Sequence, residues 1–121
     1  MKKKILIIDD SSDVRTLVAE LLKSEYEVFA VENWAKSLSY VYKERIDLIL
    51  LDYNMPGFKG DKVAQLFQSS SPDYPLKIVL FSSIDESDLK QIARKVGVTG
   101  YIPKTFEKRL LLMRVKRFID A

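Results

Sequence analysis

The stretch Asp47-Leu-Ile-Leu-Leu-Asp52-Tyr-Asn-Met-Pro-Gly57 sets the expected fold of this chain. Its four large apolar residues stand between two carboxylates, and the turn pair Pro56-Gly57 closes it. A short, continuous apolar run of this kind is typical of a strand that is buried on both faces of a parallel sheet. Such a strand delivers its last residue, Asp52, to the carboxyl edge of the sheet, where ligands bind in open α/β folds. Asp52 is therefore a candidate for chemistry.

Composition narrows the possible functions. The chain has 121 residues, which suits one domain with one core. It has no cysteine and no histidine, which excludes disulfides, thiol chemistry, the usual zinc sites and histidine-based catalysis. A net charge of +3 without a clear nucleic-acid motif favours a solvated surface over one that binds nucleic acid directly. No apolar run approaches the roughly 20 residues of a transmembrane helix, so we expect a soluble, cytoplasmic protein with no membrane partner.

Apolar runs and amphipathic stripes alternate along the chain. The expected strands are Lys4–Asp9, Tyr26–Val31, Leu48–Asp52, Leu76–Phe81 and Gly100–Pro103. Each of the first four strands is followed by apolar residues at helical spacing, which predict four amphipathic helices. The apolar positions are Val14, Leu17, Val18, Leu21 and Leu22 in the first helix; Trp34, Ala35, Leu38, Val41 and Tyr42 in the second; Val63, Ala64, Leu66 and Phe67 in the third; and Leu89, Ile92, Ala93 and Val96 in the fourth. Five such alternations predict an α/β fold with a parallel sheet and right-handed crossovers, and the strand order 2-1-3-4-5 suits one helix per strand.

Several helix boundaries carry their own signals. Ser11 or Ser12 is the expected cap of the first helix, and Gly97 is expected to end the fourth. The fifth helix is expected from about Thr105. Its expected core stripe is Leu111, Val115, Phe118 and Ile119, whereas one or two of Leu110, Leu112 and Met113 are expected on its outer surface.

The order 2-1-3-4-5 brings side chains from distant parts of the chain into one crevice. Strands 1, 3, 4 and 5 are neighbours in it, and the polar residues at their carboxyl ends are Asp9, Asp10, Asp52, Ser82 and Lys104. Crowded carboxylates repel by roughly 1 to 4 kcal/mol per pair at about 4 Å, so such a cluster either shifts its pKa values or binds a cation. Oxygen ligands without nitrogen or sulfur select Mg²⁺.

The same residues supply the parts of a phosphoryl transfer. Asp52 would attack phosphorus, while Mg²⁺ and Lys104 would neutralise charge on the transferred oxygens and Ser82 would donate a hydroxyl. Simpler interpretations stay open on these grounds alone. The two neighbouring acids, Asp9 and Asp10, could simply cap the first helix. Ser82 could cap the fourth helix, and Lys104 could be a solvated lysine.

The sequence resembles a response-regulator receiver domain along its whole length, residues 1–121. Ile-Leu-Ile-Ile-Asp9-Asp10 matches the acidic pair of that family, and Asp52-Tyr-Asn-Met-Pro-Gly57 matches the phosphoacceptor and its loop. Ser82-Ser83 resembles the switch Ser/Thr, and Gly100-Tyr-Ile-Pro-Lys104 resembles the lysine strand. Each motif is weak alone, but four in this order and spacing are specific. The resemblance implies a flavodoxin-like, doubly wound (βα)5 three-layer sandwich.

The resemblance also implies a function. Asp52 would take a phosphoryl group from a histidine kinase or a phosphotransfer protein, and the protein would be a signalling switch rather than an enzyme, apart from its own phosphorylation and slow dephosphorylation. Mg²⁺ would be held by Asp9, Asp10, Asp52 and the backbone carbonyl of Asn54. Ser82 and Tyr101 would move together as the switch, although Tyr101 is equally explained as a half-buried strand aromatic.

The output of the switch is expected on its surface. No effector domain follows Ala121, so unless the chain is a fragment we expect binding of a downstream protein partner. The surface implied for this partner, or for a homodimer, is formed by the fourth helix, the fifth strand and the fifth helix.

Three features depart from the family pattern. Thr105 follows the lysine where the family usually has a proline after a cis bond, so either the loop is strained or it runs trans and Lys104 sits differently. Ser83 replaces a smaller residue, and the chain is basic where receivers are often acidic. These features leave open a receiver-like adaptor that no longer switches. A Mg²⁺-dependent phosphohydrolase is less favoured, because Asn54 stands where such enzymes carry their general acid.

Overall fold

A computed structural model describes residues 2–53, 74 and 76–121 of the chain. In these ranges the strands are β1 (Lys4–Ile8), β2 (Glu27–Val31), β3 (Leu48–Asp52), β4 (Lys77–Ser82) and β5 (Gly100–Pro103). All neighbouring pairs are parallel, and the sheet has the order β2-β1-β3-β4-β5. The predicted strand order is therefore confirmed, and the strand limits agree with the sequence pattern to within a residue.

The described helices are α1 (Ser12–Leu22), α2 (Trp34–Glu44), α3 (Glu86–Val96) and α4 (Lys108–Ile119). The last two, α3 and α4, are the fourth and fifth helices expected from the sequence. The expected third helix, with Val63, Ala64, Leu66 and Phe67, lies outside the described residues, as do Pro56 and Gly57. None of the helices in the described ranges has the length and apolar character needed to span a bilayer.

The sheet is the middle layer of three. Leu48 and Leu50 of β3 belong to an apolar cluster with residues of α1 and α4, whereas Ile49 and Leu51 belong to a second cluster with residues of α2 and α3. All five residues of β3 are buried, because successive side chains point to opposite faces and both faces are covered. The α/β three-layer sandwich is confirmed.

Helix ends follow local hydrogen bonding. Ser11 caps α1 by accepting the amide of Val14 at 3.3 Å, and Gly97 ends α3 in the left-handed conformation at φ 82°. The fifth helix begins at Lys108 rather than at about Thr105, which corrects the sequence prediction. The Thr105 hydroxyl accepts the amide of Glu107 at 3.2 Å, and Glu107 is the N-cap, so the preceding residues form a turn.

Some residues of the predicted helical stripes face solvent. Leu17 is 42% exposed and Tyr42 is 56% exposed, and Ala35 is also exposed, so these three are not part of the core. Each lies beside a residue that is buried or half-buried on the same helix, at the border of its apolar stripe. In α4 the expected core residues Leu111, Val115 and Ile119 are buried, and Phe118 is half-buried. The remaining three are Leu110 and Leu112, which are half-buried, and Met113, which is exposed.

The first residue of β4 holds the end of α4. The ammonium of Lys77 donates to the backbone carbonyls of Phe118, of Ile119 at 3.3 Å and of Ala121 at 3.0 Å. The last carbonyls of a helix have no partner within the helix and carry the negative end of its dipole, so a cation there is stabilising. Lys77 therefore anchors α4 to the central sheet.

We expect Lys77→Met to lower the free energy of unfolding by about 1 kcal/mol, because it removes the charged donor and keeps most of the aliphatic chain. Urea denaturation at neutral pH measures this change. Lys90→Met, at an exposed position in the middle of α3, is the matched control and should change stability by less than about 0.5 kcal/mol. Equal stability of the two variants would show that Lys77 does not anchor the helix.

Candidate functional site

The candidate site lies at the carboxyl edge of the sheet. Asp9 follows the last residue of β1, Asp52 ends β3, and Lys104 follows the last residue of β5. The strand register brings the three ends level: Ile8 is opposite Leu51, Asp52 is opposite Phe81, and Ser82 is opposite Pro103. Because parallel strands end at one edge, the topology alone collects these residues into a single crevice.

Three carboxylates meet in this crevice. Asp9, Asp10 and Asp52 each offer an oxygen, and these oxygens lie within 4.8 Å of one another. Asp9 is 1% exposed and Asp52 is 4% exposed, whereas Asp10 is open to solvent. Carboxylates at this separation repel when all are ionised, so the cluster requires positive charge nearby.

Lys104 supplies one positive charge. Its ammonium nitrogen lies 3.3 Å from Asp9 Oδ2 and 3.5 Å from Asp52 Oδ1, and its side chain is only 14% exposed. The peptide bond before Thr105 is trans, and the lysine still reaches both carboxylates. We call Asp9, Asp10, Asp52 and Lys104 the acid pocket. Three acids and one ammonium leave an excess of two negative charges when all four are ionised.

The two carboxylate oxygens of Asp9 have different roles, one at the start of α1 and the other in the acid pocket. Asp9 Oδ1 accepts the backbone amide of Ser11 at 2.9 Å, but the N-cap of α1 is Ser11. Asp9 Oδ2 is buried, lies opposite the lysine and accepts no hydrogen bond from a described residue. Asp9 therefore orders the start of the helix with one oxygen and turns the other into the pocket.

The donor set of the acid pocket fits a hard divalent cation. Asp9, Asp10 and Asp52 converge through carboxylate oxygens, the ligand type that Mg²⁺ prefers, and the pocket carries an excess of negative charge. The buried Asp9 Oδ2 is an acceptor that a cation would satisfy. The fourth ligand expected from the sequence, the backbone carbonyl of Asn54, lies outside the described residues.

Ser82 lies beside the pocket on β4. It is fully buried, its hydroxyl accepts the amide of Ile84 at 3.3 Å, and its carbonyl accepts the amide of Lys104 at 2.8 Å. The N-cap of α3 is Asp85, so the interpretation of Ser82 as a simple helix cap is wrong. Its backbone thus positions the lysine.

Tyr101 lies within β5, opposite Leu80 of β4. It is half-buried and packs against the cluster of α2 and α3. It also lines a groove of about 250 Å³ between α3 and α4, together with Glu86, Arg114, Arg117 and Phe118. Its role in switching stays a prediction.

One contact of the pocket was missed in the sequence. Arg15 Nη1 donates to the backbone carbonyl of Asp9 at 2.7 Å. An arginine in the first half of an amphipathic helix is ordinarily a solvated residue, and nothing in the sequence pattern distinguishes this one. Only the path of α1 past the end of β1 brings the two together.

Comparisons with known proteins identify the family of the chain. The sequence model of the response regulator receiver domain matches residues 5–116. Sporulation initiation phosphotransferase F of Bacillus subtilis is 31% identical over 120 residues, which cover 98% of this chain and 95% of that protein. The phosphate regulon transcriptional regulatory protein PhoB of Pseudomonas aeruginosa is 32% identical over 115 residues, which cover 94% of this chain but 50% of that protein.

Solved structures give the same result. The chemotaxis response regulator CheY4 of Vibrio cholerae is 28% identical, with a TM-score of 0.84, and the match covers 98% of this chain and 99% of that one. A response regulator from Thermotoga maritima is 25% identical, with a TM-score of 0.85 and complete coverage of both chains. The chain therefore belongs to the family of response-regulator receiver domains.

Proposed function

We propose that this receiver is a phosphorylation-controlled signalling switch whose acceptor is Asp52 and whose phosphodonor is a histidine kinase or a phosphotransfer protein in the cytoplasm. Receiver domains are signalling modules rather than metabolic enzymes, which also argues against the phosphohydrolase. The observation that carries the proposal is the acid pocket, where one ammonium lies within 3.5 Å of two almost fully buried carboxylates from different strands.

The proposed reaction transfers a phosphoryl group between two side chains. A carboxylate oxygen of Asp52 forms the new P–O bond while the P–N bond to the donor histidine breaks, and the imidazole keeps the bonding electrons and takes up a proton. Asp9, Asp10 and Asp52 would hold Mg²⁺, which supplies charge neutralisation at the phosphoryl oxygens. Lys104 would pair with a phosphoryl oxygen, and its present contacts already hold its ammonium beside Asp52.

A phosphoryl group on Asp52 would change the pull on the lysine strand. It carries about −1.5 to −2 charges in place of the single charge of the carboxylate, and its additional hydrogen-bond acceptors attract Lys104 and the Ser82 hydroxyl. Lys104 is joined to the surface through its neighbour, because Arg114 Nη1 of α4 donates to the carbonyl of Pro103 at 3.0 Å. A shift of Lys104 would therefore be transmitted to α4 through the hydrogen bond between Pro103 and Arg114.

The surface that receives this shift is the groove between α3 and α4. Arg114 and Arg117 line it, and α4 carries five basic residues and no acidic ones. We propose that a downstream protein, or a second copy of this chain, binds here and distinguishes the two states of the lysine strand. An adaptor that no longer switches would bind its partner equally in both states.

The acceptor is tested by mass spectrometry after incubation with acetyl phosphate and Mg²⁺. We expect wild type to gain the mass of one phosphoryl group and Asp52→Asn to gain none, because an amide oxygen is a poor nucleophile. Asp88→Asn, which removes an exposed acid of α3 outside the pocket, should be labelled like wild type. Labelling of Asp52→Asn at the wild-type rate would place the acceptor elsewhere.

Charge repulsion in the pocket is tested by unfolding. We expect Asp10→Asn to raise the free energy of unfolding in metal-free buffer by about 1 kcal/mol, because it relieves the repulsion among three acids. The same substitution should weaken the stabilisation that wild type gains from added Mg²⁺. Asp13→Asn, in the first turn of α1, should instead lower stability slightly, because it removes a charge that suits the helix dipole. A Mg²⁺ response identical to that of wild type would remove Asp10 from the ligand set.

The link to the surface is tested by hydrogen exchange with and without phosphodonor and Mg²⁺. In wild type we expect phosphorylation to change amide exchange in β5 and the first half of α4. Arg114→Met should still be phosphorylated but should show a smaller response in α4, because the bond to Pro103 is lost. Arg109→Met, at an exposed position of the same helix, is the control and should respond like wild type. An unchanged exchange pattern in phosphorylated wild type would favour the non-switching adaptor.

A further inference from the structure

The backbone around the two adjacent acids is held by an arginine of the first helix. Arg15 lies one turn into α1, where its own amide donates to the carbonyl of Ser11 at 3.0 Å. Its side chain is half-buried and turns back toward the strand, so that Nη1 donates to the carbonyl of Asp9 at 2.7 Å. A bond of this length between a guanidinium and a carbonyl is charge-assisted and strong.

Asp9 is held from four directions. Its amide donates to the carbonyl of Val31 at 3.2 Å, its Oδ1 accepts the amide of Ser11, and its Oδ2 lies opposite Lys104. The fourth direction is the carbonyl that Arg15 binds. That carbonyl belongs to the peptide group shared with Asp10, so the arginine sets the plane of this peptide and hence the direction in which Asp10 leaves the backbone.

Asp10 depends on its backbone for its position. It is exposed, and no hydrogen bond from a described residue holds its carboxylate. Its contribution to the acid pocket therefore rests on how the peptide before it is oriented. We propose that Arg15 is a positioning residue, which holds the Asp9 carbonyl so that the Asp10 carboxylate points into the acid pocket for binding of a divalent cation. This inference rests on the proposed function of the pocket.

The charge of Arg15 and its hydrogen bond to the Asp9 carbonyl have opposite effects on the affinity of the acid pocket for Mg²⁺. A cation near the pocket repels Mg²⁺, so loss of the charge alone would tighten metal binding. Loss of the peptide anchor would weaken it. The carboxylate of Glu32, which lines a groove of about 430 Å³ together with Arg15 and Lys36, offsets part of this repulsion. The pKa of Glu32 is lowered, first by its hydrogen bond from Lys36 and also by the charge of Arg15.

The opposite signs make the inference testable by titration calorimetry with MgCl₂. We expect Arg15→Met to raise the Kd for Mg²⁺ about tenfold, the effect typical of groups that orient metal ligands. Arg15→Lys keeps the charge but shortens the donor, and we expect an intermediate Kd. Lys36→Met removes a neighbouring cation that does not contact Asp9, so its Kd should equal the wild-type value or fall below it. Unchanged or tighter binding by Arg15→Met overturns the inference.

A second measurement needs no metal. Amide hydrogen exchange at Asp10 and Ser11 in metal-free protein should be faster in Arg15→Met than in wild type and unchanged in Lys36→Met. If wild type binds no Mg²⁺, the proposed function fails, and this exchange still decides whether Arg15 orders the acidic pair. If wild type binds Mg²⁺ and both arginine variants match it in affinity and exchange, only the role of Arg15 fails. Arg15→Lys provides the answer if Arg15→Met does not fold.

Discussion

The ion pairs of Lys104 resolve an electrostatic conflict that the fold itself creates. The ends of β1 and β3 deliver Asp9 and Asp52 almost fully buried, and a buried carboxylate without a partner costs several kcal/mol. An ammonium that arrives from β5 meets one oxygen of each. One cation does not balance three acids, so the pocket retains negative charge for a divalent cation. Binding of an anionic phosphoryl group would then require a cation that neutralises charge on both the phosphoryl oxygens and the carboxylates.

The same lysine joins the pocket to the surface. Its amide bonds to the carbonyl of Ser82, and the carbonyl just before it bonds to Arg114 of α4. Coupling of this kind is reciprocal: if a phosphoryl group favours one position of the lysine strand, then a partner that prefers that position stabilises the phosphorylated state. The end of β5 therefore belongs both to the acid pocket and to the groove between α3 and α4.

Much of the fold could be predicted because its signals are local. The continuous apolar run of β3 correctly predicted a strand covered on both faces, and the alternation of strands and helices predicted the sheet order. The prediction of the buried face of each helix was less accurate at the borders of the apolar stripe, where Leu17 and Tyr42 are exposed. A helix that packs on a sheet buries a narrow strip, and periodicity does not define its width. The late start of α4 at Lys108 reflects a turn held by Thr105 and Glu107, whose bonds compete with helix formation.

The sequence by itself determined which residues stand at the strand ends, because burial and backbone periodicity depend on the order of apolar and polar side chains. It therefore identified Asp9, Asp52 and Lys104 as neighbours before any distance was known. Only the tertiary structure decided which atoms meet. Lys104 contacts two carboxylates although the peptide bond between it and Thr105 is trans, and Arg15 turns back to the carbonyl of Asp9. Long side chains have many rotamers, and their partners depend on distances that are set by packing between elements far apart in the chain.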